Sequence, residues 1–381
     1  MPKVKVVFLM HHLITGGIET CLLQILELLK DNDKYEVSVI SRVKVTEKRF
    51  LHFFQNNNVN LLDNGFFYHM QPRPTKYLQK KIWRLRKRIE KIRFRRQLRQ
   101  YDIIIDYFNG CFCNLIKKVN RPKIAFLHCS ISAYFSNPEY MKNIESYHKI
   151  VAISQSFYND FVIKHPELAN KIECIYNPVD VISIQNRVEQ GQMSELPHKY
   201  FVSVARLHTD KDHETLIRGF KLFLENENCP DVKLYLCGDG PLRQQWEELT
   251  DQLHLDNHVV FLGNVPNPFA YVKGALAHIL SSFGEGLPTV LIEAQALNTL
   301  NIASNVKSGV AEILMNGEAG LLFKPQNPND LAVKMSQVYH NQINIDKMKS
   351  IALQNLDRFN PYVVLDQITA LVQNLYNTKR G

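Results

Sequence analysis

Two carboxylates flank a predicted strand-to-helix turn in the second half of the chain. Residues 281–297 read SSFGEGLPTVLIEAQAL, with Glu285 before the turn and Glu293 inside the helix that follows. An acid in the turn could contact sugar hydroxyls, and an acid farther along the helix could accept the paired hydroxyls of a ribose. Two solvated acids near a helix N-terminus would fit the helix dipole equally well, so both interpretations stay open.

The same turn carries groups that could bind an anion. Gly284 and Gly286 permit an unusual backbone path, and Pro288 favours the first turn of a helix that ends near Leu297. The amides of Gly286 and Leu287 would then lie at the positive end of that helix without intrahelical partners. The segment therefore predicts an anion cradle beside the two acids.

Two cations follow another predicted strand. Arg206 and Lys211 come after KYFVSVA, where an arginine could grip a diphosphate as a planar fork and a lysine as a point charge. An ordinary charged loop is the alternative. Asp210-Lys211-Asp212 also has the D-x-D spacing of some metal sites, but a lysine would lie beside the ion, and Asp is a common helix cap. We therefore expect no metal at this spacing, while a diphosphate site and an ordinary charged loop both stay open.

Other strand ends give weaker signals. Gly16-Gly17 precedes an apolar helix and would let the backbone approach a ligand, although a plain strand-to-helix turn has the same pattern. His128 ends the run PKIAFLH, where a lone histidine is usually structural or simply exposed. Gly238 clears space beside a tight turn, and the loop around Val265 has backbone groups that could face a base.

These residues are positioned by an alternation of apolar runs and helical segments. One series runs from VKVVFLM to KIECIY and a second from KYFVSVA to GLLF, which predicts an α/β protein with two doubly wound parallel sheets. Ligands of such sheets bind beyond the carboxyl ends of the strands. We expect domains at 1–180 and 199–360, a linker without apolar period at 181–198, and a final helix at 361–381.

Composition agrees with a globular protein of two domains. The chain has 381 residues, 45% of them apolar, which is enough for two cores. Its seven cysteines are odd in number and lack metal or redox spacing, which predicts reduced thiols in a cytosolic protein. The N-terminus is predicted to be a strand and not a signal peptide, and no apolar run is long enough to span a membrane.

The positive net charge of +9 comes from one segment of the chain. Between residues 73 and 99 thirteen Lys or Arg stand against Glu90, so this segment carries +12 and the remainder sums to −3. Apolar residues at near-helical spacing, with Trp83 beside them, predict an amphipathic helix near 76–99. The apolar residues are Ile82, Leu85, Ile89 and Ile92.

Three interpretations of this basic helix compete: a solvated surface helix, a surface for anionic phospholipid, and a nucleic-acid site. We prefer the membrane, because Trp83 and Phe94 would be interfacial anchors and each cation adds about 1 kcal/mol near such a surface. No nucleic-acid-binding motif lies beside the segment, so we expect no nucleic acid. The residues expected to face the membrane are Trp83, Arg84, Arg86, Lys87 and Arg88.

The carboxyl-terminal motifs together resemble the donor site of the retaining glycosyltransferases of family 4, which have the GT-B fold. They are Arg206 with Lys211, Gly238-Asp239-Gly240, and Glu285-Gly-Leu-Pro-(x)4-Glu293-Ala. Looser similarity extends through most of the chain, including Gly16-Gly17 and the strand end at His128. The resemblance implies two Rossmann-like domains facing a central cleft. The first would bind the acceptor, the second would bind the nucleotide-sugar, and the last helix would cross back to the first.

The resemblance also implies roles for individual residues. Arg206 and Lys211 would neutralise the departing diphosphate in place of a metal, and Glu285 would contact donor-sugar hydroxyls. His128 would lie over the donor sugar near its reacting face. The implied donor-binding residues are Gly16 and Gly17 near phosphate or sugar, Gly238, Val265 at the base, Gly286, Leu287 and Pro288 at sugar or phosphate, and Glu293 at the ribose.

The implied activity is transfer of a hexose or N-acetylhexosamine from a nucleotide-sugar, with UDP as the family's usual nucleotide. The acceptor would be a glycan or lipid-linked glycan in surface polysaccharide, lipopolysaccharide or glycolipid synthesis. No cofactor or metal is expected, and the protein would be cytoplasmic and peripheral on the inner face of the cell membrane. A nucleotide-sugar epimerase of the same fold and a non-catalytic nucleotide-sugar or membrane-binding protein remain alternatives.

Overall fold

The computed structural model describes residues 2–14, 16–63, 77–128, 137–189, 199–229 and 231–378. The chain divides into two compact units, one formed by Met1–Pro178 with Pro361–Gly381 and the other by Val179–Asn360. Each unit contains one parallel sheet flanked by helices, with its own hydrophobic core. The predicted α/β class with two doubly wound domains is thereby confirmed.

The first unit is built on a seven-stranded sheet whose neighbouring strands are all parallel. Its strands are almost continuously apolar because helices cover both faces of such a sheet. The spatial order is β3-β2-β1-β4-β5-β6-β7, so the chain moves outward from β1 first in one direction and then, from β4, in the other. The strands are β1 (Val4–Met10), β2 (Tyr35–Ser41), β3 (Asn60–Leu62), β4 (Ile103–Asp106), β5 (Lys123–Leu127), β6 (Lys149–Ala152) and β7 (Ile172–Cys174).

The helices of the first unit come from both ends of the chain. Within the described ranges, those that precede the second unit are α1 (Gly17–Leu29), α2 (Lys48–Asn56), α3 (Tyr77–Leu98), α4 (Cys113–Ile116), α5 (Pro138–Ile144) and α6 (Gln155–Lys164). The last helix of the chain, Pro361–Thr378, packs Val364 and Ile368 into the same core as Phe8 of β1. The terminal helix therefore completes the first unit, as the resemblance implied.

The second unit repeats this design with six strands in the order β10-β9-β8-β11-β12-β13. The direction in which successive strands are added to the sheet again reverses between two adjacent parallel strands, here β8 and β11. The strands are β8 (Tyr200–Val204), β9 (Lys233–Cys237), β10 (Val259–Gly263), β11 (Ala277–Leu280), β12 (Asn301–Ser304) and β13 (Leu321–Phe323). The helices are α7 (Val181–Glu189), α8 (His213–Glu227), α9 (Arg243–Gln252), α10 (Phe269–Lys273), α11 (Thr289–Ala296), α12 (Gly309–Ile313), α13 (Pro328–Tyr339) and α14 (Ile345–Gln354), so the terminal helix is α15.

The predicted linker at 181–198 is wrong in its first half. Residues 181–189 form α7, which belongs to the second unit and buries Ile184. The Gln185 side chain donates to the Ala296 carbonyl of α11 at 3.1 Å. A nine-residue helix is marginal in isolation, so tertiary contacts of this kind stabilise it. The remainder of the predicted linker, 190–198, lies outside the described residues.

The basic segment contains the helix α3, which has two apolar faces. Phe94 and Leu98 are buried in the core of the first unit, whereas Trp83 is half-buried with the Lys87 ammonium 3.8 Å from its ring. Phe94 therefore cannot anchor the protein at a membrane surface, and the half-buried Trp83 ring is covered by the exposed Lys87 side chain. The opposite face exposes Ile82 (48%), Leu85 (59%), Ile89 (41%) and Ile92 (57%).

Two further predictions concern membrane spans and thiols. No helix within the described ranges combines the length and the apolarity needed to cross a bilayer. None of the six cysteines in the described part of the chain forms a disulfide, and four of them are buried.

Candidate functional site

The loops that follow β8 and β11 meet because these strands are neighbours at the point where the strand order reverses. Ligands of doubly wound sheets bind at such a switch point. The turn Thr209–Lys211 is held against the β11 loop by two hydrogen bonds. The Ser281 hydroxyl donates to the Lys211 carbonyl at 2.8 Å, and the Phe283 amide donates to the Asp210 carbonyl at 2.9 Å.

Lys211 and Glu285 form an ion pair in this junction. Lys211 Nζ lies 2.6 Å from Glu285 Oε1, and the Ser282 hydroxyl donates to the same oxygen at 2.6 Å. Only 15% of the lysine side chain and 11% of the glutamate side chain are exposed. The tertiary structure therefore brings together a cation and an acid that the sequence places in different loops, and orients both.

Arg206 is placed differently from Lys211. Its side chain is 69% exposed, and Nη2 lies 3.8 Å from Asp210 Oδ2, which is also 3.6 Å from Lys211 Nζ. Burial alone would raise the pKa of Asp210, but Lys211, a hydrogen bond with His208 and the charge of Arg206 outweigh it and lower the pKa. An ionised Asp210 thus lies between the two predicted phosphate ligands.

The D-x-D sequence at residues 210–212 immediately precedes a helix and supplies its N-cap. Asp212 has φ 47°, and its side chain accepts a hydrogen bond from the Thr215 amide at 3.2 Å, capping α8. The prediction that this aspartate is a cap is confirmed. No three His, Cys, Asp or Glu side chains within the described ranges cluster as metal ligands would, and independence from metal stays a prediction.

Gly238 and Gly240 bring the turn after β9 into contact with the loop after β8. Gly238 has φ 144°, and a Cβ on it would lie 2.0 Å from the Ala205 carbonyl oxygen. A Cβ on Gly240 would lie 2.4 Å from the Leu207 carbonyl oxygen. The two loops are packed backbone to backbone, which allows no side chain at either glycine.

The anion cradle predicted at Gly286 and Leu287 corresponds to the start of α11. This helix begins at Thr289 with Pro288 as its N-cap, one residue later than the sequence indicates. The Gly286 carbonyl accepts from the Gly309 amide at 2.9 Å, which fixes the peptide orientation. Within the described ranges the amides of Gly286 and Leu287, which lie just before the N-cap, donate to no protein acceptor.

Glu293 lies in the second turn of α11, partly buried. Burial raises its pKa, while a hydrogen bond from the Thr289 side chain and the positive charge of Arg187 on α7 act in the opposite direction. Val265, in the loop after β10, is also partly buried. The carbonyl of the next residue, Pro266, accepts a hydrogen bond from Arg187 Nη2 at 3.0 Å.

His128 lies at the end of β5 in the first unit and is buried. Its amide donates to the Asn109 side-chain oxygen at 2.6 Å, and its ring packs edge-on against Tyr107 at 4.7 Å between centroids. Burial lowers the pKa of His128 to about 3, against smaller opposing effects of the Tyr107 backbone and the Asn177 side chain. The imidazole is therefore neutral near pH 7, with one nitrogen able to donate and one to accept.

The two glycines before α1 have different surroundings. Gly16 is the N-cap of α1, and a Cβ there would lie 2.6 Å from Glu19 Oε2. Glu19 is buried, with Oε1 3.0 Å from His12 Nδ1. A Cβ on Gly17 would meet nothing within 4 Å. A side chain at Gly16 would therefore displace the Glu19 carboxylate, while Gly17 borders open space.

Three residues that contact predicted site residues or their loops, one in the first unit and two in the second, were missed from the sequence. Ser282 orients Glu285 and stands three residues before it, a spacing that could have been noticed. Asn109 holds the His128 backbone, and its φ of 53° marks the turn where it lies. Arg187 carried no signal, because its partners are about 80 or more residues away along the chain.

Comparison with known proteins places these features in a family. The chain is 34% identical over 152 residues to an uncharacterized glycosyltransferase of Methanocaldococcus jannaschii, covering 39% of this chain and 37% of that protein. It is 30% identical over 182 residues to the Campylobacter jejuni N-acetylgalactosamine-N,N'-diacetylbacillosaminyl-diphospho-undecaprenol 4-alpha-N-acetylgalactosaminyltransferase, covering 48% of each. The chain thus spans about half or less of the length of these curated relatives.

Structural similarity to solved glycosyltransferase-fold proteins extends over nearly the whole chain. The crystal structure of Anabaena HepE in complex with UDP matches 97% of this chain and 100% of its own, with a TM-score of 0.74 and 20% identity. This match confirms the GT-B fold class. The model for glycosyltransferase family 4 matches residues 15–182, and the model for glycosyl transferases group 1 matches residues 187–354. The chain therefore belongs to the glycosyltransferases of the family 4 and group 1 type, in which these two domains follow one another.

Proposed function

We propose that this protein transfers a hexose or N-acetylhexosamine from a UDP-sugar to a glycan or lipid-linked glycan, with retained configuration and without a metal ion. The observation that carries the proposal is the Lys211–Glu285 pair at the switch point of the second sheet, beside the amides of Gly286 and Leu287. A cation, an acid and helix amides are the groups that a sugar diphosphate requires.

The chemistry follows from where charge develops. The bond from the sugar carbon to the diphosphate oxygen breaks as the acceptor oxygen bonds to the same face, and the acceptor proton passes to that phosphate oxygen. Negative charge grows on the diphosphate, where Lys211, Arg206 and the amides at the start of α11 would stabilise it. Glu285 would bind sugar hydroxyls through the oxygen that Lys211 and Ser282 do not occupy.

The relatives support the substrate class. The C. jejuni enzyme is named for a diphospho-undecaprenol acceptor, and the Anabaena structure holds UDP. Synthesis of a surface polysaccharide, lipopolysaccharide or glycolipid on the cytoplasmic side of the membrane would use both kinds of substrate. The roles of Gly16, Gly17 and His128 in the first unit, and of Gly238, Val265, Pro288 and Glu293 in the second, stay predictions.

A panel of nucleotide-sugars tests the proposal. Calorimetry with UDP-glucose, UDP-N-acetylglucosamine, UDP-N-acetylgalactosamine and GDP-mannose should show binding of a UDP-sugar, and slow release of UDP should follow without acceptor. Both should persist in EDTA. An epimerised sugar would favour the epimerase, and tight binding without turnover on any acceptor tried would favour a binding protein. Activity that disappears with chelator and returns with Mg²⁺ or Mn²⁺ would contradict the role of the cations.

We also propose that α3 docks the protein on an anionic membrane surface. The side chains of Ile82, Leu85, Ile89 and Ile92 lie on one exposed face, three or four residues apart. At about 100° per residue, cations border this stripe on both sides. They are Arg86 and Arg93 along one edge and Lys81 and Arg88 along the other, all exposed. An apolar stripe edged by cations is typical of a helix lying in the plane of a membrane interface.

Vesicle binding tests this surface. Replacing the four exposed apolar residues of α3 by Ser, or its four flanking cations by Gln, should weaken binding to phosphatidylglycerol vesicles at low salt about tenfold or more. Neutralising Arg218, Lys221, Lys334 and Lys347 in the second unit removes the same charge and should change binding little. Unchanged partitioning of both α3 variants would make α3 a solvated helix, and tight salt-dependent oligonucleotide binding would instead favour nucleic acid.

A further inference from the structure

The helix α7 connects two parts of the proposed nucleotide site. It contacts α10, which follows the Val265 loop, and α11, which carries Glu293. Its last turn is capped from the loop side, since the Asn267 side chain donates to the Arg187 carbonyl at 2.7 Å. On the other side Gln185 donates to the end of α11. A change in the position of α7 would therefore move the loop relative to Glu293.

Arg187 is a residue of α7 that binds the loop directly and acts on Glu293 of α11 through its charge. Its Nη2 donates to the Pro266 carbonyl at 3.0 Å, and its guanidinium carbon lies 4.5 Å from the centre of the Phe269 ring. The planar guanidinium can stack on an aromatic ring and still donate hydrogen bonds at its edge, which a lysine ammonium cannot do. The loop that is proposed to face the base is thus clamped to α7 by its backbone and by an adjoining ring.

The charge of Arg187 also acts on Glu293. Of the ionisable groups near this carboxylate, Arg187 is the one whose charge lowers its pKa, against the effect of burial. An ionised carboxylate accepts both hydroxyls of a ribose, whereas a protonated one loses an acceptor site. The other ionisable groups with described side chains on elements that contact α11 are Tyr271, Lys273, His278, Glu312, Asp346, Lys347, Lys349, Asp357 and Arg358, and none of them shifts the pKa of Glu293.

We propose that Arg187 is a positioning residue of the nucleotide site: it clamps the loop at residues 264–268 to α7 and keeps Glu293 ready to accept the ribose hydroxyls. The inference rests on the proposed function, because it assumes that a nucleotide binds there. Arg187 lies in the segment that the sequence assigns to a linker, so the sequence analysis did not include it among the nucleotide-binding residues. Arg187 would act on affinity for the nucleotide and not on the departure of the sugar.

Three substitutions separate the two actions of Arg187. Arg187→Ala removes clamp and charge, Arg187→Gln can still donate to the Pro266 carbonyl, and Arg187→Lys keeps the charge but not the ring stacking. The dissociation constant of UDP is measured for each from about pH 5 to about pH 8, with kcat and KM for the UDP-sugar. The control is Arg218→Ala, which removes an exposed arginine paired with Glu214 on α8.

We expect Arg187→Ala to weaken UDP binding about tenfold at neutral pH and to raise KM, with kcat at saturating donor nearly unchanged. The wild-type affinity should fall as the pH falls through the pKa of Glu293. Without the arginine that pKa rises, so the loss should begin at higher pH in the Ala and Gln variants and return to the wild-type midpoint in the Lys variant. Protonation of UDP itself affects the wild type and all variants equally, so it cancels when their pH midpoints are compared.

Two outcomes would overturn the inference. One is UDP affinity in Arg187→Ala equal to that of Arg218→Ala. The other is weaker binding with an unmoved pH midpoint, which would mean that the arginine only supports the fold. Failure of the proposed function looks different: wild-type protein would bind no nucleotide, or would bind it without sensitivity to Lys211→Ala.

Discussion

Lys211→Ala should lower turnover about a hundredfold or more while the protein stays folded, because it removes a fixed cation from the place where the diphosphate gains charge. The wild-type ammonium is already oriented by Glu285 at 2.6 Å and partly shielded from water, so little reorganisation is needed when the sugar departs. Initial rates at saturating UDP-sugar, with circular dichroism to verify folding, give the measurement.

Lys221→Ala is the matched control, since Lys221 lies on α8 in an i,i+4 pair with Glu225 at 3.3 Å. It should retain wild-type turnover. Arg206→Ala should also lower turnover about a hundredfold, although Arg206 is mostly exposed and must order on the ligand. Near wild-type rates in folded Lys211→Ala would remove the cation from the mechanism.

Gly238→Ala should reduce the free energy of unfolding of the second unit by about 3 kcal/mol or more. The added Cβ would lie 2.0 Å from the Ala205 carbonyl oxygen, and φ is 144°, which L side chains rarely adopt. Neither backbone can move easily. The Gly238 amide donates to Gly263, and the Ala205 amide donates to Cys237, so both segments are held by their neighbours.

Gly284→Ala provides the comparison for this stability measurement, because a Cβ there meets no atom within 4 Å and φ is not in the left-handed region. It should leave stability within about 0.5 kcal/mol of wild type. Urea unfolding gives the free energies, and hydrogen exchange at β9 locates the loss. A Gly238→Ala protein as stable as Gly284→Ala would show that the two loops are not packed as described.

The sheets were predictable because their signal is local. Runs such as VKVVFLM and KYFVSVA are apolar over most of their length, which indicates strands buried on both faces. Pro288 and Asp212 likewise mark helix starts through their own backbone and hydrogen-bonding preferences. The positions of Glu285 before α11 and Glu293 within it follow from the sequence between them.

The faces of α3 were less predictable. Periodicity locates the helix and its apolar residues, but it does not say which apolar residues meet a core. The structure buries Phe94 and Leu98 and leaves Ile82, Leu85, Ile89 and Ile92 exposed. The difference arises because one side of the helix packs against other elements of the first unit's core, and the position of those elements is not encoded within the helix itself.

The sequence alone determined two parallel-sheet domains, the acid-glycine turn at the start of α11 and the concentration of positive charge between residues 73 and 99. The folded structure was needed to show the pairing of Lys211 with Glu285, the hydrogen bond from Arg187 to the loop after β10, and the helix at residues 181–189. The first set depends on neighbours along the chain. The second depends on contacts between residues 74 to 111 positions apart, which are determined by strand order and not by local pattern.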